Sequence, residues 1–242
     1  MVFVHGFTQT GRSWTPVAEQ VARLGHEVVL VDLPGHGGST SIRADLRRSA
    51  DLLAATTGPA TYVGYSLGGR VCLHLALMYP HVVERLVLVG ASPGIVDDEE
   101  RSARRDADDQ LAVHLSEVGL ERFLDEWTRQ PLFSGLELTE DERQDRLRNT
   151  AAGLASSLRL CGTGTQVSLW ERLVELNMDV LALAGDRDTK FASMAERIAQ
   201  TAPNATFDLI HDAGHAAHLQ QPAQVITRLE RFMRGDRVLP SA

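Results

Sequence analysis

Apolar residues fall along this chain in two textures. Short unbroken runs recur at Met1-Val2-Phe3-Val4-His5, within His26–Asp32, at Ala60–Gly64, at Glu84–Gly90, at Asp179–Gly185 and from Ala205 to Ile210. Runs of this length without alternation predict strands of a parallel sheet buried on both faces. Between them lie stretches of helical period. One runs to Leu24 with Ser13 as its cap, one spans Ile42 to Thr57, one continues to Tyr79, and one closes the chain from Pro222 to Arg234. Strand and helix in turn predict an α/β fold with a mostly parallel, doubly wound sheet. From Asp97 to about Trp170 the residues become polar, helical in period and poor in strand formers, with Leu111, Val113, Leu115, Leu120, Phe123, Leu124 and Trp127 as an apolar face. That stretch predicts a helical insertion over the strand ends, where such sheets keep their sites. The predicted organisation is a core of residues 1–93 and 171–242 with a helical cap of residues 94–170.

Composition narrows the function more than the fold. With 242 residues, 43% hydrophobic and 23% charged, the chain suits one large core with an insertion. A net charge of −8 argues against generic binding to nucleic acid or anionic membrane, so any anionic ligand must be met by a local cluster. The two cysteines, Cys72 and Cys161, have no ligand spacing and predict neither a metal site nor a disulfide framework. No basic-then-apolar leader opens the chain, and no apolar run approaches the ~20 residues of a membrane span. The expectation is a cytoplasmic protein. Positive charge is almost all arginine, Lys190 being the sole lysine.

The chemistry centres on Gly64-Tyr65-Ser66-Leu67-Gly68, a G-x-S-x-G on a strand-to-helix turn. That turn strains the serine backbone and crowds its neighbours, which calls for glycine two residues away on either side. It aims Ser66 into a cleft and leaves the Leu67 N–H at a helix N-terminus, free to hold developing negative charge. Upstream, His5-Gly6-Phe7 follows the first strand. This loop resembles the oxyanion loop of α/β-hydrolases, and the resemblance gives the second such N–H to Phe7. Leu33-Pro34-Gly35-His36-Gly37-Gly38-Ser39 resembles the same superfamily, with His36 read as structural.

A serine hydroxyl at neutral pH needs an imidazole in hydrogen-bond reach and a carboxylate to hold its tautomer. Gly185-Asp186-Arg187-Asp188 and Asp212-Ala213-Gly214-His215 stand after the fifth and sixth strands, in the order Ser, Asp, His of this superfamily. The superfamily pattern favours Asp188 over Asp186, and the Gly-His step favours His215 over His211 and His218.

The motifs Gly64–Arg70, Leu33–Ser39 and Gly185–Phe191, with Arg101–Arg105, Trp127, Gln130–Phe133 and Arg148-Asn149, together resemble the 2-succinyl-6-hydroxy-2,4-cyclohexadiene-1-carboxylate synthases of menaquinone biosynthesis over nearly the whole chain. The resemblance implies an α/β-hydrolase fold with a helical cap and elimination of pyruvate from a substrate bearing several carboxylates. Ser66 would be a base backed by His215 and Asp188, with no cofactor. It also implies Arg70, Arg104, Arg148, Tyr65 and Trp127 as substrate-binding residues. Arginine's planar fork suits carboxylates, and Arg70 lies one helical turn past Ser66. Arg101 and Arg105 are alternatives to Arg104, and the two aromatics are alternatively packing residues. In relatives a strand or hairpin precedes the oxyanion strand, so the expected sheet lacks those first strands. A serine esterase or C–C bond hydrolase, and a small-molecule receptor without turnover, are the alternative functions.

Overall fold

The computed structural model describes residues 1–235; the end of the predicted core segment, residues 236–242, lies outside the described residues. Six strands form one wholly parallel sheet: β1 (Val2–Val4), β2 (Val29–Val31), β3 (Ala60–Tyr65), β4 (Val83–Val89), β5 (Asp179–Gly185) and β6 (Ala205–Ile210), in the spatial order β2-β1-β3-β4-β5-β6. The order reverses at β1, so the loops after β1 and β3 diverge and leave a crevice at the carboxyl ends of the strands.

Helices cover both faces. In chain order they are α1 (Thr15–Arg23), α2 (Leu46–Thr57), α3 (Leu67–Met78), α4 (Asp98–Val118), α5 (Leu120–Thr128), α6 (Glu140–Arg146), α7 (Ala151–Cys161), α8 (Thr189–Thr201), α9 (Ala217–Gln220) and α10 (Pro222–Met233). Successive strand residues point to opposite sides. Tyr62, Leu86, Leu88, Val180 and Ala182 pack with α2, α3 and α8, whereas Phe3, Val63, Val87, Leu181 and Leu183 pack with α1 and α10. Both sets are buried, which is why these strands read as continuous apolar runs. A third cluster, Ala112, Leu115, Phe123, Leu124, Leu154, Ala155 and Leu158, joins α4, α5 and α7 between β4 and β5. Of the apolar face expected there, Val113 points outward and is half exposed.

Two local expectations are corrected. The run His26–Asp32 yields only the three residues of β2, with Val29 and Leu30 exposed, because β2 is an edge strand with one neighbour. Ser13 does not cap α1. It lies inside a 3-10 turn, Gly11–Trp14, and donates to Gln9 Oε1 at 3.2 Å. Thr10 caps that turn, and α1 follows with Trp14 at its N-cap and a proline in its first turn, a position that needs no N–H.

Candidate active site

Strand β3 ends at Tyr65, and the backbone reverses at Ser66 with φ 49° and ψ −108° before α3 begins at Leu67. This left-handed, non-helical conformation is costly for serine, of order 1–3 kcal/mol, and persists only where the surroundings impose it. Here the Ser66 N–H donates to the Val89 carbonyl at 2.9 Å and the Ser66 carbonyl accepts from Arg70 at 3.1 Å. A Cβ on Gly68 would lie 2.2 Å from the Val4 carbonyl oxygen, and one on Gly64 would lie 2.6 Å from the Gly69 Cα. The two glycines therefore let β1, β3 and α3 meet closely enough to lift the serine above the sheet.

His215 follows β6 and Asp188 follows β5. One carboxylate oxygen of Asp188 caps α8, accepting from the Phe191 N–H at 3.2 Å; the other lies 2.8 Å from His215 Nδ1. With Nδ1 donating to that carboxylate, Nε2 is left to accept from Ser66 Oγ at 3.2 Å. The side chains of His215 and Asp188 are 2% and 8% exposed. Phe191 packs against the imidazole at 4.4 Å between ring centres and Phe133 at 6.0 Å, so water reaches the pair poorly. Asp186 is engaged elsewhere, 3.2 Å from His211 Nδ1 in a solvent-facing pair. His218 is fully buried between the rings of Trp14 and Tyr65, at 4.4 and 4.2 Å. Burial, with the nearby charge of Arg146, drives its pKa well below the ordinary value and keeps it neutral.

The Phe7 N–H sits on the loop after β1 and the Leu67 N–H at the first residue of α3, and among the described residues neither donates a hydrogen bond. His5, just before that turn, is structural: its Nε2 accepts from the Leu33 N–H at 3.0 Å and its Nδ1 donates to the Gly6 carbonyl at 2.8 Å. His36 is likewise buried, packed edge-on to Phe7 and His5.

A cavity of about 910 Å³ opens over Ser66, Leu67, Phe7 and His215, and Tyr65, Trp127, Arg70 and Arg104 also line it. Trp127 packs edge-on to Phe7 at 5.0 Å, and its indole N–H is buried with no partner among the described residues. The two lining arginines differ. Arg104 donates to Asp108 at 2.9 Å, a carboxylate only 1% exposed. Arg70 is 8% exposed, makes no ion pair among the described residues, and has one weak contact to Gln166 Oε1 at 3.4 Å. Burial pulls its pKa down to about 10, which leaves it charged at neutral pH. A buried cation without a carboxylate is costly unless a ligand supplies one. Asp97 and Glu100 also line the cavity, but so do Lys190 and Arg197 of α8, so with Arg70, Arg104 and Asp108 the lining keeps a positive excess.

Arg148 is placed apart from this lining, paired with Asp145 at 3.2 Å and partly exposed. Arg101 pairs with Asp98 at 2.6 Å, and Arg105 reaches the Gly164 carbonyl at 3.4 Å; neither lines the cavity. Sequence reading missed Phe133, Lys190, Phe191 and Arg197 as walls. Lys190-Phe191 directly follows the acid loop, which was the available signal, whereas Arg197 faces the cavity only because α8 packs beside it with its guanidinium 3.9 Å over the Trp170 ring.

Comparison with known proteins fits this geometry. A family model described as "Alpha/beta hydrolase family" matches residues 1–228. A Salmonella heidelberg protein named 2-succinyl-6-hydroxy-2,4-cyclohexadiene-1-carboxylate synthase is 36% identical over 97% of this chain and 93% of its own length. The structure of MenH from S. aureus superposes with a TM-score of 0.90 at 33% identity, covering 98% of this chain and 94% of that one. A thermophilic esterase from Thermogutta terrifontis superposes at 0.81 with 24% identity over 98% of this chain and 90% of that one, a likeness of fold alone.

Proposed function

The chain belongs to the alpha/beta hydrolase family and, within it, to the 2-succinyl-6-hydroxy-2,4-cyclohexadiene-1-carboxylate synthases, and from that premise we propose a lyase mechanism for its site. The reaction is loss of pyruvate from 2-succinyl-5-enolpyruvyl-6-hydroxy-3-cyclohexene-1-carboxylate. The two ring names define the bond changes: a proton leaves C2, the ring double bond at C3 becomes a 2,4-diene, and the C5–oxygen bond to the enolpyruvyl group breaks. The C2 proton lies beside the succinyl carbonyl, so its removal places charge on that oxygen.

Each step has a group on this chain. His215 Nε2 accepts the Ser66 hydroxyl proton as Ser66 Oγ removes the C2 proton, and Asp188 steadies the imidazolium. The Phe7 and Leu67 N–H groups hold the enolate-like oxygen, which prepares the electron pair to pass through the ring and expel enolpyruvate. The enolpyruvyl group leaves as the enolate of pyruvate and takes up one proton at carbon from solvent, while the His215 imidazolium returns its proton to solvent, which restores the site. Arg70 and Arg104 bind substrate carboxylates, with Tyr65 and Trp127 against the ring and the helical segment of residues 94–170 acting as the cap. Arg148 enters this reading only if it leaves Asp145 when substrate binds. The chain acts in the cytoplasm, and no helix among the described residues is long and apolar enough to cross a membrane.

The observation that carries the reading is Arg70, a buried, charged guanidinium one helical turn from the serine with no ion pair among the described residues. An esterase for neutral substrates gains nothing from it. The deciding assay is pyruvate release from the enzymatically prepared substrate, with mass spectrometry of protein quenched during turnover. Pyruvate with only unmodified chain is expected, because a serine base forms no acyl-enzyme. A Ser66 adduct of the substrate would move the site to the hydrolase reading.

A further inference from the structure

The turn that presents the Phe7 N–H is itself strained. It runs from Gly6 to Gln9, closed by the Gln9 N–H on the Gly6 carbonyl at 3.2 Å and by the Gly6 N–H on Gln9 Oε1 at 3.1 Å. Thr8, the residue after Phe7, has φ 68°, in the left-handed region that suits glycine and opposes a β-branched side chain. Such a conformation survives only if its surroundings over-determine it. Thr8 is fully buried, and its two polar groups beyond the N–H are both held by the segment that ends α6. Asn149 Nδ2 donates to the Thr8 carbonyl at 2.9 Å, and the Arg146 guanidinium donates to Thr8 Oγ1.

That segment is fastened on its other sides as well. Asn149 Oδ1 accepts from the Gly37 N–H at 2.9 Å, Asn149 Nδ2 also donates to the Arg146 carbonyl at 2.9 Å, and Thr10 Oγ1 donates to Asp145 at 2.7 and 2.8 Å. Gly35 and Gly153 allow the close approach this needs, since a Cβ on Gly153 would lie 2.3 Å from the Gly35 carbonyl oxygen. Neither Arg146 nor Asn149 lines the cavity. Arg146 is 4% exposed and makes no ion pair among the described residues, so its charge is buried beside the oxyanion turn for some return other than a surface salt bridge.

We infer that Arg146 and Asn149 are positioning residues that lock Thr8 in its left-handed conformation and so hold the Phe7 N–H on the oxygen that gains charge. The inference rests on Phe7 being an oxyanion donor, as in the function proposed above. Released from the two bonds, Thr8 relaxes towards negative φ and the peptide planes of the turn re-orient. The loss then falls on the transition state rather than on substrate binding.

The test compares Arg146→Met, Arg146→Lys, Asn149→Ala and Arg146→Met combined with Thr8→Gly, by amide hydrogen exchange and by pyruvate release. In Arg146→Met and Asn149→Ala, exchange in residues 6–11 rises at least about 10-fold while β3 and β4 stay protected. The same variants lose about 10- to 100-fold in kcat with KM within about three-fold. Arg146→Lys, which keeps a donor, falls between wild type and Arg146→Met. Adding Thr8→Gly to Arg146→Met recovers much of kcat, because glycine holds a positive φ without a clamp. If Arg146→Met does not fold, Asn149→Ala carries the comparison. Unchanged exchange in the turn, a loss confined to KM, or no recovery with Thr8→Gly overturns the inference. A wild-type protein that releases no pyruvate sinks the function reading instead, and the exchange comparison still decides the clamp.

Discussion

The wall of the cavity that carries Ser66, His215 and Asp188 is made from three loops at strand ends, whereas the facing wall is made from helices inserted between β4 and β5. On the sheet side, each reactive group sits within a few residues of a strand, and hydrogen bonds of 2.8 to 3.2 Å already link the three. On the helical side the charges are spread over α4, α6 and the turns that follow, and they partner one another: Arg104 with Asp108 in the cavity lining, and Arg148 with Asp145 and Arg101 with Asp98 outside it. Arg70 belongs to the sheet side through α3 and crosses to the other, and of the arginines proposed for substrate it is the one buried with no carboxylate partner among the described residues. A parallel sheet is a rigid frame that fixes reacting atoms, while a helical insertion can exchange its ion pairs for a ligand's carboxylates at modest cost. In the function proposed above, the first wall sets the rate and the second the choice of substrate.

The largest effects should come from the sheet side. Ser66→Ala and His215→Ala each lower pyruvate release by about 10³-fold or more, and the double variant adds little, because members of such a unit fail together. Asp188→Asn follows them. Asp186→Asn, which weakens the pair with His211 away from Ser66 and His215, costs less than about 10-fold. Steady-state kinetics with circular dichroism of each variant checks the ranking, and an Asp186 loss exceeding that of Asp188 would reverse the assignment.

Intermediate effects test the helical side. Arg70→Ala lowers kcat/KM for the multi-carboxylate substrate by about 10- to 1000-fold, and Arg70→Lys recovers part of it because an ammonium lacks the forked geometry. Arg104→Ala costs less, since that guanidinium is more exposed and already shared with Asp108, and Arg148→Ala stays within about three-fold if its pair with Asp145 persists when substrate binds. Turnover of a neutral ester, measured in parallel, separates binding from structure: equal losses on both substrates would make these arginines structural.

The smallest effect concerns acid stability. Burial holds His36 at about 3 and His74 at about 4, against 6.5 in an unfolded chain. Between those values the unfolded state binds more protons, so stability is full above pH 6.5 and declines as pH falls towards 3 to 4. The slope reaches at most ~1.4 kcal/mol per pH unit for each histidine. Urea titrations at pH 7 and pH 5 should show a shallower acid loss for His36→Gln than for the parent chain. An identical loss would mean that His36 stays solvated in the native state.

The sequence alone determined the features that depend on backbone sterics and local order. Unbroken apolar runs specify strands buried on both faces, and Gly64 and Gly68 around Ser66 specify a turn that only those residues permit, so the sheet, the elbow and the chain order of Ser66, Asp188 and His215 were readable. The edge position of β2 was not, because an apolar run looks the same with one neighbour as with two. Nor was the start of α1, because Ser13 reads as a cap in the sequence but lies inside the 3-10 turn that precedes the helix. Tertiary structure decided which charges face the cavity. Arg146, the last residue of α6, and Arg148, in the turn just past it, have the same side chain, yet the first is buried against Thr8 and the second is turned to Asp145. Sequence spacing cannot say where the helix stops or which way its last turn faces; both are set by how the end of α6 packs on the turn after β1. That packing joins residues separated by about 140 positions in the chain, and no local pattern encodes it.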